Sequence, residues 1–75
     1  MLNQKERQVI ELLAEGKVKK EIAKDLGCSL SNIERIVICM RERYHCQNTV
    51  QLVAFALANN LIAVENYIAA EHGKR

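Results

Sequence analysis

Between residues 19 and 44 the apolar positions are spaced so tightly around one glycine that few folds can accommodate them. In SLSNIERIVICMRERY (residues 29–44), Ile33, Val37, Met40 and Tyr44 recur at intervals of four, three and four. That spacing puts them on one face of a helix. Ser29 or Ser31 can cap its start, because a side-chain oxygen there satisfies backbone N–H groups that the first turn leaves open. Upstream, in KKEIAKDLGC, Ile22, Ala23 and Leu26 mark the inner face of a shorter helix, and Gly27 closes it. A glycine there can take the left-handed conformation with which many helices end.

Two short helices joined by a tight glycine turn form the core of a helix-turn-helix, whose second helix ordinarily enters the DNA major groove. The remaining sequence reads as support for that pair. Asn3 and Glu6 have the spacing of a capping box, with Asn in place of the usual Ser or Thr. A first helix is expected from about Gln4 to Glu15, with Val9, Ile10, Leu12 and Leu13 buried and Gly16 at its end. The second should begin near Val18 or Lys19, where no good capping side chain precedes it, and end at Leu26. Asn48 or Thr49 can cap a fourth helix reaching about Asn59. With no proline and no strand-like alternation, the chain reads as all-α.

The fourth helix is over-apolar: Leu52 to Ala58 is an unbroken run of apolar residues. A helix that is apolar on all sides must be covered on all sides. A 75-residue chain is one small domain, and such domains bury only about 60% of their unfolded surface. Association of two copies through this helix is therefore expected, with Val50, Val53, Ala54 and Leu57 as the contact residues. The competing expectation is that the tail covers it. Val64, Tyr67 and Ile68 could face inward from a short fifth helix before a frayed Gly73–Arg75 end. The expected organisation is one domain over residues 1–62 and an extension over 63–75.

Composition excludes several classes. Three cysteines (Cys28, Cys39 and Cys46) are an odd number without CxxC spacing, and nothing resembles a secretory signal. Free thiols in a reducing cytoplasm fit this. No apolar run approaches the ~20 residues of a membrane helix, so no membrane partner is expected. Cys39, His45, Cys46 and His72 have no zinc spacing. Cys28 and Cys46 read as small core side chains, and His45 as a contact at a helix end. No nucleophile is paired with a base and no glycine loop could cradle a phosphate, so neither enzyme activity nor a cofactor is expected. The net charge of +2 is only mildly basic, but Lys17, Lys19, Lys20 and Lys24 crowd the second helix with Glu21 alone opposing them. Such a cluster is a solvated face or, beside a helix-turn-helix, a contact for phosphates.

LNQKERQVIELLAEGKVKKEIAKDLGCS resembles the DNA-binding domain of the LuxR/GerE/FixJ-type bacterial transcription regulators. Their pattern opens Leu-Thr-x-Arg-Glu-x-Glu-Val-Leu, continues with a Leu and Ala-x-Gly, and reaches Lys-Glu-Ile-Ala. This sequence matches it at Leu2, Glu6, Val9, Leu12, Ala14, Gly16, Lys20, Glu21, Ile22, Ala23, Leu26 and Ser29. NTVQLVAFALANNLI is similar to the family's fourth helix and closing Leu-Ile, so the resemblance covers residues 2–62. It implies a four-helix domain that dimerises through its fourth helix on a roughly two-fold site in double-stranded DNA. Family members usually carry a receiver or ligand-binding domain ahead of this one. The expectation here is a single-domain member, with sensing absent or supplied in trans.

Departures from the family pattern fall on the second helix of the motif. Where the family has Ser-x-x-Thr-Val-Lys-x-His-x-x-Asn-Ile, this chain has Ser29, Asn32, Ile33, Glu34, Ile36, Cys39 and Met40. Glu34 stands in place of a lysine and would meet phosphate repulsion, although it can accept from cytosine N4. The expected DNA-facing set is Asn32, Glu34, Arg35 and Ile38 toward bases, with Lys19, Lys20, Ser31 and Arg41 toward phosphates. Ile36, Ile38 and Cys39 cannot all join the core stripe, and exposed apolar groups mark protein-binding surfaces. The alternative is therefore a DNA-binding-deficient antagonist that captures a full-length regulator.

Overall fold

The computed structural model describes residues 2–63, and among these it is helical without strands. The helices are α1 (Gln4–Ala14), α2 (Lys19–Leu26), α3 (Leu30–Arg43) and α4 (Thr49–Ala58). Helices α1 and α3 pack together at the centre and each also packs against both α2 and α4, which scarcely meet each other. Val9 and Ile10 of α1, Ile22 of α2, Ile33, Val37 and Met40 of α3, and Leu52 of α4 are fully enclosed. Each such side chain contributes roughly 1.5–3 kcal/mol over its exposed state. The expected fifth helix lies outside the described residues.

Each helix start is fixed by a recognisable chemical device. Asn3 Oδ1 accepts from the Glu6 N–H at 2.8 Å, and Glu6 returns the bond to the Asn3 N–H at 3.1 Å. Ser29, rather than Ser31, caps α3, accepting from the Asn32 N–H at 3.1 Å. Asn48, rather than Thr49, caps α4 through the Gln51 N–H at 2.8 Å. At α2 the N-cap is Val18, which has no acceptor to offer. Half of a capping box remains, with Glu21 accepting from the Val18 N–H at 3.1 Å.

All four helices end in the same left-handed closure. The N–H just after the left-handed residue reaches back five positions to a carbonyl of the last turn, as in Lys17 to Leu12 and Cys28 to Ala23. Cys46 to Arg41 and Leu61 to Ala56 repeat it, each at 2.8 Å. The residue at the left-handed position is Gly16, Gly27, His45 and Asn60 in turn. This is the Schellman arrangement, and glycine is its unstrained occupant. His45 thus stands at the end of α3, which it closes through its backbone conformation (φ 57).

Long-range polar contacts then lock the packing. Arg43 Nη1 and Nη2 donate to Glu6 Oε1 at 3.0 Å and Oε2 at 2.7 Å, joining the last turn of α3 to the first turn of α1. Arg7 donates to the Leu61 carbonyl at 2.8 Å, tying α1 to the segment after α4. Tyr44 meets Phe55 with ring centroids 5.0 Å apart, bridging the end of α3 to α4.

Two stability measurements follow. Glu6 is 7% exposed, and hydrogen bonding from Arg43, opposed by burial, holds its carboxyl below the usual range. A carboxyl lowered in the folded state stabilises above its unfolded value of about 4.3 and loses that contribution as pH falls through the folded value. Glu6→Gln should cost about 1–2 kcal/mol at neutral pH, because the Arg43 side of the pair is half in water. Thermal melts should show the gap to the parent closing below about pH 4. Conversely, His45→Gly should raise stability by about 1 kcal/mol in chemical denaturation, since the left-handed strain disappears.

Candidate nucleic-acid interface

The α2–α3 pair holds the candidate interface. Gly27, with φ 69, lets the chain reverse, and only Gly27, Cys28 and Ser29 separate Leu26 from Leu30. Such a short connection gives α3 one orientation relative to the start of α2. Lys19 and Lys20 occupy the first two positions of α2, half-buried and exposed respectively. Their charges add to the partial positive charge of the helix start. Lys24 is exposed, whereas Lys17 pairs with Asp25 at 3.3 Å.

Along α3, Ile33, Val37 and Met40 face inward, so the opposite side must face outward. Ser31, Glu34, Arg35 and Ile38 are exposed, and Ile38 keeps 47% of its surface. Asn32 is half-buried, and its Oδ1 accepts from Arg35 Nη2 at 2.6 Å. The outward surface therefore combines one arginine, two acids (Glu34 and Glu42) and an isoleucine. Positive charge lies beside this surface, at the start of α2, more than on it.

Arg41 of the expected DNA-facing set and Ile36 of the apolar group stand apart from the rest. Arg41 is half-buried and donates to the Gln47 carbonyl, so it holds the α3–α4 connection. Ile36 packs partly against the core, which leaves Ile38 and Cys39 as the uncovered positions of that apolar group. The tail residues Val64, Tyr67 and Ile68, expected to face inward, lie outside the described residues.

A second surface runs along α4. Leu52 and Ala56 are enclosed, and Phe55 packs against the core from its edge. Val50, Val53, Ala54 and Leu57, with Leu13 and Ala14 of α1, line a shallow apolar groove. Val50 is 79% exposed there. The sequence pattern missed a third feature, a groove between the start of α1 and α3 that holds the Glu6–Arg43 pair. The pair joins residues 37 positions apart, which no local spacing signals.

No group of three or more His, Cys, Asp or Glu side chains is placed to hold a metal ion among the described residues. No helix among them is long and apolar enough to cross a membrane.

Comparison with known proteins adds relatives to this geometry. The chain is 30% identical over 74 residues to the probable transcriptional regulator ycf29 of Pyropia yezoensis, covering 99% of this chain and 33% of that protein. It is 36% identical over 58 residues to the protein of the same description from Cyanophora paradoxa, covering 77% of this chain and 28% of that one. The counterpart in Porphyra purpurea is 31% identical over 61 residues, covering 81% and 29%. The chain thus spans about a third of the length of these curated relatives. No solved structure matches it. Residues 1–56 match the profile of the bacterial regulatory proteins of the luxR type, and with four helices arranged as that helix-turn-helix domain requires, the chain belongs to the luxR family.

Proposed function

We propose that the chain binds double-stranded DNA as the reading module of a transcription regulator, acting as a homodimer. One observation carries the reading: an exposed outward face of α3 held by a three-residue turn against a helix that opens with two lysines. Lys19, Lys20 and Ser31 would bind phosphates, which fix register and affinity without choosing sequence. Arg35 suits the paired acceptors of guanine, Glu34 the amino group of cytosine and Ile38 the methyl of thymine. Asn32 shares Arg35 and stands beside it. Arg41 is better assigned to the α3–α4 turn than to phosphate, given its bond to Gln47. The names of the relatives, probable transcriptional regulators, agree with this reading.

The apolar α4 groove supports self-association. An exposed apolar surface containing a valine as open as Val50 is better covered than solvated. Two copies related by a two-fold axis would bring the same patch together and present two α3 helices to one duplex.

The antagonist reading draws on the outward face of α3, where Ile38 and Cys39 stay uncovered and Glu34 and Glu42 outnumber Arg35. A titration of fluorescently labelled random duplex at two salt concentrations separates the two readings. Binding that weakens steeply with salt reports phosphate neutralisation and supports the DNA reading. Absence of binding at low salt would reject it in favour of capture of another regulator.

Two substitutions extend the test. Glu34→Lys should raise affinity for random duplex by about tenfold at low salt, by replacing repulsion with attraction. No gain would mean that α3 does not face DNA. Leu57→Asp should turn a dimer into a less stable monomer in sedimentation. An unchanged dimer would refute the α4 assignment.

A further inference from the structure

The groove beside α3 has a composition that neither the core nor the outward face of that helix explains. Asn32, Ile36, Cys39 and Arg43 follow one another at helical spacing and form a stripe next to the one carrying Ser31, Arg35 and Ile38. The start of α1 forms the facing wall, with Asn3, Lys5 and Glu6. Within the groove Glu6 and Arg43 neutralise each other through two hydrogen bonds. What remains is the positive charge of Lys5 and of Arg35, which leans toward Asn32 and lines the same groove. Lys5 has no ion pair among the described residues. None of the α2 lysines lines this groove, so it is a cationic surface separate from theirs.

We infer that this groove is a second seat for the DNA backbone, in which Lys5 binds a phosphate along the α1 flank of α3. The inference rests on the DNA-binding reading and adds a contact to it. A helix with its side chains is about 10–12 Å across and the major groove is about 12 Å wide. An inserted α3 therefore has a sugar–phosphate strand along each flank. A strand passing the α1 flank meets Lys5 across the groove from Arg35, and the amide groups of Asn3 and Asn32 are hydrogen-bonding groups of the kind that line phosphate contacts. The Glu6–Arg43 pair supports the seat without repelling its occupant, because its acid is already matched. Lys5 is a positioning contact here: it fixes affinity and register and chooses no base.

The test is an anisotropy titration over a salt series with the full chain, using random duplex and, once selected, the preferred duplex. Parent, Lys5→Gln and Lys20→Gln proteins are compared, with thermal melts to verify that the variants remain folded. Lys5→Gln should reduce the slope of log affinity against log salt by about 1, equally on both duplexes, as expected for a phosphate contact. Lys20→Gln should do the same from the α2 side. If Lys20→Gln reduces the slope while Lys5→Gln overlays the parent, the groove is not a seat and the DNA reading survives. A loss for Lys5→Gln on the preferred duplex alone would make it a base contact and would also overturn the assignment. If the parent binds neither duplex at low salt, the DNA reading fails and this inference fails with it.

Discussion

The Glu6 carboxylate closes the first turn of α1 through the Asn3 N–H and holds the Arg43 guanidinium at the last turn of α3. One buried acid thus satisfies a helix start and sets how far the central helices can slide past each other. Apolar packing alone would not fix that register, because dispersion contacts are individually weak and non-directional. Two parallel hydrogen bonds from a planar guanidinium are directional. The position of α3, and with it every residue proposed to face DNA, depends on this clamp at one end and on the Gly27 turn at the other.

Local rules made most of the helices legible. The 3.6-residue period located the buried faces of α1, α2 and α3, and glycine marked two ends where the backbone turns left-handed. His45 and Asn60 do the same job at the other two ends. They were harder to see, because the closure depends on backbone hydrogen bonds that residue type only partly signals. The start of α2 was soft in the sequence for a physical reason: Val18 contributes no acceptor, and the returning bond comes from Glu21 inside the helix.

The candidate interface was legible in outline and less so in detail. The family resemblance, together with the core stripe of Ile33, Val37 and Met40, placed Ser31, Glu34, Arg35 and Ile38 outward, and all four are exposed. It could not predict that Arg41 would turn back to the Gln47 carbonyl, or that Ile36 would find partial cover. Arg41 is captured by a connection six residues on, whose path the helical period does not set, and Ile36 by packing against the assembled core. With Glu34 in place, the outward face of α3 sets Arg35 against Glu34 and Glu42, and more positive charge stands on α2 and at Lys5 of α1. On the proposed reading, affinity would rest on the lysines and base preference on α3, as the distinct roles of phosphate and base contacts would favour.

The three-residue connection between α2 and α3 restricts how such a surface can change over time. One residue inserted before α3 would advance its helix by a step of roughly 100°, moving Ile33 and Val37 off the core and bringing polar neighbours into it. The same step would swing the outward residues away from the lysines of α2. Substitution on the exposed face carries no such cost, as Glu34 and Ile38 illustrate by standing uncovered opposite the core stripe. New binding preferences can therefore accumulate here by replacement of single side chains, while the length of the turn stays fixed.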